Sequence, residues 1–241
     1  RNPGLALPLI ALQYHEVKIT ADFTDGSLCG GLLVNYLYLD TDERRRFAQV
    51  SHEYLIEQVQ FTGKESVCAA STPATNATPV ATASKSITLT FNHPVKALFW
   101  NGLSHGNVTN LASGGAQAGC GSYTAKLQLN GHDRASEQGN LYFTGVQPYE
   151  CGLRQCYTTP TLTTTHAGMY SFCLKPGEHQ PSGTCNFSRI DNARLVLNLS
   201  GPTTVATGEN GSLTEQKINI FALNYNVLRI MSGMGGLAYS N

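Results

Sequence analysis

His132, Asp133 and Arg134 stand consecutively and are residue types able to move a proton or hold an anion. On an extended turn, however, neighbouring side chains point in different directions, and three in a row cannot converge on one atom. They are expected to be solvated turn residues that follow a strand. The 16 acidic residues are scattered with none in a recognisable facing pair, which removes the two-carboxylate arrangement of a glycosidase. Residues 232–236, SGMGG, carry the glycines of a phosphate loop without its Lys and Ser/Thr, so they are expected to permit tight backbone turns. No catalytic residue, cofactor or enzymatic activity is indicated.

Metal chemistry has equally little to build on. Cys151 and Cys156 are separated by four residues in a polar stretch, a spacing that suits a local disulfide or half of a metal site. No second Cys or His pair has zinc-like spacing, so free thiols or one local bridge are expected and no metal. The densest charge is Arg44, Arg45 and Arg46, offset by Asp40, Asp42 and Glu43; it reads as a solvated helix or as a contact between domains or subunits. Five Asn-X-Ser/Thr triplets occur, at Asn76, Asn107, Asn186, Asn198 and Asn210. Of these, Asn76, Asn107 and Asn210 fall in expected loops and are the candidate glycosylation positions.

The elements that position these residues are mostly strands. Ile87, Leu89 and Phe91 alternate with Ser86, Thr88 and Thr90; Ala125, Leu127 and Leu129 alternate with Lys126, Gln128 and Asn130; and Ala193, Leu195, Leu197 and Leu199 repeat the pattern. Period-two alternation of this kind marks a strand with one face on a core. Further strands are expected over 55–61, 95–100, 169–174 and 217–230, the last apolar enough for a central position. That makes about seven after Tyr54, and residues 186–190 are expected to supply the eighth that a jelly roll needs. Earlier strands are expected over 9–19 and 32–39. Between them and the rest, Asp40 can cap a short helix over 41–49, with Asp42 and Glu43 at its positive end and the arginines toward the other.

Composition agrees with a β-rich chain with long polar loops. Charged residues are 13% of 241, about half the usual ~25% of a soluble domain, while hydrophobic residues hold at 41% and glycine numbers 24. With 16 basic and 16 acidic side chains the chain is formally neutral and lacks the cationic surface that drives non-specific nucleic-acid binding. No apolar run reaches the ~18 residues of a membrane-spanning helix.

Five longer blocks resemble one family. They are 39–63 (LDTDERRRFAQVSHEYLIEQVQFTG), 91–101 (FNHPVKALFWN), 127–134 (LQLNGHDR), 180–199 (QPSGTCNFSRIDNARLVLNL) and 224–241 (NYNVLRIMSGMGGLAYSN). They are similar to the carboxy-terminal half of the major capsid protein of nucleocytoplasmic large DNA viruses, most closely the chlorella virus type. The resemblance implies an all-β fold, an eight-stranded antiparallel jelly-roll sandwich. Residues 1–40 would be the final strands of an incomplete first jelly roll, 41–52 the linker helix and 53–241 the second jelly roll. It also implies a structural, glycosylated virion subunit, assembled in the host cytoplasm. Its partners would be two further copies in a homotrimeric pseudo-hexagonal capsomer, neighbouring capsomers and minor capsid proteins. A different class of function remains open on the same architecture: a carbohydrate-binding module for host attachment, with Trp100, Tyr142 and Tyr149 as its stacking platform.

Overall fold

The computed structural model describes residues 3–21, 31–68, 83–103, 123–153, 167–199 and 216–239. Ten strands are present among them: β1 (His52–Cys68), β2 (Ala83–Thr88), β3 (Pro94–Leu103), β4 (Tyr123–Leu129), β5 (His132–Gly139), β6 (Gly168–Ser171), β7 (Cys185–Asn186), β8 (Ala193–Leu199), β9 (Gln216–Met231) and β10 (Met234–Leu237). Two short α-helices accompany them, α1 (Thr41–Gln49) and α2 (Gln147–Glu150), the second entered through a π-helical turn, Tyr142–Val146.

The strands form two sheets. One has the order β1-β9-β3-β6, with β10 added to β9 and β7 to β3; the other has the order β2-β8-β4-β5. Four of sequence positions 1, 9, 3, 6 facing four of positions 2, 8, 4, 5 is the interleaving of a jelly roll, in which successive strands alternate between sheets except at the β4–β5 hairpin. Alternation in the sequence becomes burial in the structure. Ile87, Ala125, Leu127, Ala193, Leu195 and Leu197 from one sheet meet Val95, Leu98, Trp100, Ile218, Ile220 and Ala222 from the other in a single core, closed by Phe143, Tyr170 and Phe187.

Three expected elements differ from the structure. Residues 186–190 do not supply the eighth strand: the two-residue β7 pairs with β3 and then gives way to a 3-10 turn, Phe187–Arg189, started by the Asn186 side chain accepting from Ser188 N–H. The eighth strand is β5, which contains the three residues expected to be a turn. Asn130 and Gly131 make the actual turn with φ of 51° and 81°, the left-handed pair that a two-residue hairpin demands. Residues 9–19 and 32–39, expected to be strands, contain none: 9–11 are a 3-10 turn and the others lack regular structure. A strand needs a ladder of hydrogen bonds to a neighbouring segment, and a single backbone bond, Tyr14 N–H to the Gly233 carbonyl, does not make one.

The chain divides into two compact units, Arg1–Ile56 with Asn226–Asn241, and Glu57–Tyr225. Within the first, α1 forms where expected, with Asp40 as its N-cap; the carboxylate accepts from Thr41 N–H at 2.8 Å. β9 and β10 are joined there by Ser232 and Gly233, both at positive φ. The glycines of SGMGG therefore serve a hairpin, and Gly233 carbonyl accepts from Tyr14 N–H at 3.0 Å. Among the described residues no helix is long and apolar enough to cross a membrane.

Candidate functional site

The residues with chemical potential are dispersed. Strand β5 turns His132 and Asp133 to opposite faces, and Asp133 is occupied by Gln128 Nε2 at 2.6 Å and Lys126 Nζ at 3.9 Å. Arg45 and Arg46 pair with Asp42 and Glu43 one turn away, at 3.9 and 4.0 Å, and Arg44 stands beside them on an exposed helix. Such solvated pairs contribute only a few tenths of a kcal/mol each, ~0.3–0.5. Cys151 is a half-buried free thiol at the end of α2; its expected partner Cys156 lies outside the described residues, as do Asn76, Asn107 and Asn210.

Among the described residues, one ion pair has a buried partner. Lys96 is 1% exposed on β3, and its ammonium donates to Glu57 Oε1 on β1 at 2.5 Å and to the Glu178 carbonyl at 3.1 Å, 5.1 Å from the Tyr225 ring centroid. Burial alone would depress the ammonium pKa. The Glu57 carboxylate and the Tyr225 hydroxyl beside it outweigh that and hold it above the ordinary lysine value. A bulge in the pairing of β3 with β9 falls here, between Val95 and Ala97. The extra residue lets Lys96 leave the alternation and point away from the core. The group fastens β1, β3 and the loop after β6 together, and nothing about it suggests turnover.

The informative surface is the pair of sheet faces that point away from the core. On β2-β8-β4-β5 that face is polar and cross-linked: Glu137 accepts from the Thr124 hydroxyl and from Asn198 Nδ2, and these bonds hold its carboxyl below the usual range. On β1-β9-β3-β6 it is aromatic. Phe99 is in register with Phe221 on one side and Met169 on the other, and Phe61 stacks on Phe221 with ring centroids 4.7 Å apart. Phe61 remains 48% exposed and Val59, two positions earlier on the same face, 66%. Phe99 and Phe221 are half-buried and Met169 is already covered at 2% exposed, so Val59 and Phe61 are the apolar part of this face left open to a partner.

The platform of Trp100, Tyr142 and Tyr149 does not assemble. Trp100 is 2% exposed, lies edge-on to Phe143 in the core and donates its indole N–H to the Tyr123 hydroxyl at 3.2 Å. Gly168 faces it so closely that a Cβ there would collide with the indole. Only Tyr149 is widely exposed. A core tryptophan and a lone surface tyrosine cannot sandwich a sugar.

A jelly roll with one polar and one aromatic outer face fits a wall-building unit, and comparison with known proteins decides the family. The sequence model of the large eukaryotic DNA virus major capsid protein matches residues 43–236. The chain belongs to this family. It is 50% identical to the major capsid protein of Pyramimonas orientalis virus, across all of this chain and 59% of that protein. It is 42% identical to the major capsid protein of Paramecium bursaria Chlorella virus 1, across all of this chain and 64% of that protein. The chain thus spans about three fifths of the length of these relatives. Among solved structures it resembles the PBCV-1 capsid quasi-atomic model, with TM-score 0.67 and 40% identity over all of this chain and 68% of that one.

Sequence reasoning missed the aromatic stripe and the buried Lys96. Phe61, Phe99 and Phe221 lie on three strands far apart in the chain, so only the strand order makes them neighbours. Lys96 interrupts an apolar run in a way that a bulge would explain, which was the one available signal. The Asn-Gly pair before His132 was the available signal for β5.

Proposed function

We propose that this chain is a structural subunit of an icosahedral viral capsid and has no catalytic role. The observation that carries the reading is the exposed apolar pair Val59 and Phe61, with Phe61 stacked on Phe221, on the outer face of a jelly-roll sheet. Its mechanism is geometric. Two jelly rolls in one polypeptide, of which residues 53–241 would be the second, give a homotrimer six similar wedges and hence a pseudo-hexagonal capsomer that tiles with its neighbours and with minor capsid proteins. The rigid core fixes the wedge shape, and the apolar face supplies a contact with an adjoining wedge. Arg44, Arg45 and Arg46 on an exposed helix would contribute charged contacts at such a seam. Assembly would take place in the host cytoplasm, and Asn76, Asn107 and Asn210 would carry sugar on the virion surface.

Sedimentation velocity and negative-stain microscopy of the purified protein test the reading. A trimer of hexagonal outline is expected, and Phe61→Ser should shift it toward monomer without lowering the melting temperature. A wild-type monomer that binds defined glycans selectively on an array would overturn it in favour of an attachment module.

A further inference from the structure

Of the five Asn-X-Ser/Thr triplets, two have their asparagine among the described residues, and the fold treats the two oppositely. Asn198 lies within β8, the strand between β2 and β4, in register with Ser84 on one side and Thr124 on the other. Its amide nitrogen is committed as well, since Nδ2 donates to Glu137 Oε1 at 2.8 Å. Asn186 differs on each count. It ends β7, which pairs with β3 alone, and it is exposed. Its Oδ1 accepts from Ser188 N–H at 3.1 Å, the turn that an Asn side chain favours, and no described residue accepts from its Nδ2. The residues that follow are pinned. Phe187 is 2% exposed and meets Phe91 and Phe172 edge-on in the core, while its N–H donates to the His93 carbonyl at 3.1 Å. The Ser188 hydroxyl oxygen accepts from His93 N–H at 2.9 Å; a hydroxyl that accepts keeps its own proton to donate.

We propose that Asn186 is a glycosylation acceptor for a sugar whose anomeric carbon carries a diphosphate leaving group, either a sugar nucleotide or a lipid-linked sugar. Nδ2 attacks the anomeric carbon, and the C–N bond forms as the C–O bond to the diphosphate breaks. One Nδ2 proton passes to a base of the transferase, and the diphosphate leaves with the bonding electron pair. The triplet supplies the acceptor residue types, and the fold selects between its copies. With Oδ1 tied back to Ser188 N–H, the amide nitrogen of Asn186 is the end left for the sugar, and the Ser188 side chain is held two positions on by His93. Asn198 is unsuited, because its nitrogen is bonded to a carboxylate and a transferase would have to open two strand pairings to reach it. The sequence hid this difference, since residues 186–190 are expected to be a strand; the two-residue β7 and the turn after it are what leave Asn186 exposed. A bulky, solvated sugar there would stand beside the outer edge of β7 and hinder another chain from adding a strand to it.

The test is peptide mapping of the full chain isolated from infected host cells, with electron-transfer fragmentation to place any sugar mass on a residue. Sugar on Asn186 and none on Asn198 is expected. In the same cells Asn186→Gln should lose the sugar from this peptide, while Ser188→Thr, which preserves the triplet, retains it. Tunicamycin, which blocks assembly of lipid-linked sugars, separates the two donors: loss of the sugar assigns the lipid-linked one, and persistence assigns the sugar nucleotide. An unmodified Asn186 in the untreated protein, or sugar on Asn198, would overturn the proposal. The wild-type map decides the matter even if a variant fails to fold. It reads a covalent bond and not capsomer assembly, so failure here and failure to trimerise are distinguishable.

Discussion

The two compact units use their apolar residues in opposite ways. Of the 24 exposed large hydrophobic side chains among the described residues, 18 lie in the unit made of Arg1–Ile56 and Asn226–Asn241, and of the 23 buried hydrophobic ones only Ala11 and Ile230 do. Glu57–Tyr225 contains the remaining 21 and encloses a continuous core. The difference lies in pairing. Residues 85–91 and 193–199 alternate as cleanly as any strand and find partners in register, Ile87 opposite Leu195 and Lys85 opposite Leu197. Residues 32–39 are no less apolar, yet Leu33 and Tyr38 are 97% and 93% exposed. Apolar content supplies a driving force, and a sheet with an open edge is required to use it.

The sharpest way to break this contrast is a charge in the core. Leu197→Asp places an unpaired carboxylate where Leu197 is 2% exposed, at a cost of about 5 kcal/mol, comparable with the whole stability of a small domain. Urea denaturation should find no cooperative transition for Glu57–Tyr225. A transition close to wild type would mean that this unit does not depend on its core.

A smaller effect comes from the buried pair. Lys96→Ala leaves Glu57 without its cation and the Glu178 carbonyl without its donor, and should cost about 2–3 kcal/mol, water at the partly exposed Glu57 offsetting the rest. Lys96→Met should cost less, because its side chain fills the buried space that Ala leaves empty. The folded pKa of Lys96 stands above its unfolded value. Its stabilisation is therefore complete below the unfolded pKa and is lost as pH rises through the folded one. Chemical denaturation across the alkaline range should show the wild type losing stability more steeply than Lys96→Met; parallel curves would remove the pair from the account of stability.

The smallest effect is expected in the other unit. Leu33→Ser and Tyr38→Ser alter fully exposed side chains and should change unfolding free energy by no more than about 0.5 kcal/mol, while reducing light scattering of concentrated solutions, since large exposed apolar surface drives association. Destabilisation equal to that of Lys96→Ala would show that these residues are packed, and the contrast between the units would fail.

Legibility in the sequence followed the same division. The alternating strands and the Asp40-capped helix could be read directly, because side-chain period and capping are local properties. β5 could not be read by periodicity: from His132 to Gly139 only Ala135 is even partly buried, since an edge strand with polar neighbours has no apolar face to announce it. The strands expected over 9–19 and 32–39 failed for the reverse reason, a pattern without a partner.

Sequence by itself determined the β-rich class, most strand positions, the helix over Thr41–Gln49, the neutral surface and, through five long blocks, the family. All of these are written in nearest-neighbour periodicity or in residues that keep their order along the chain. Tertiary structure alone decided the order of strands in the two sheets, and with it every feature that joins distant segments. The meeting of Phe61, Phe221 and Phe99, the burial of Lys96 against Glu57 and the loss of Trp100 to the core all depend on which strands become neighbours. That choice is made by the core as a whole, because pairing two strands is favourable only when the same register buries both apolar faces at once.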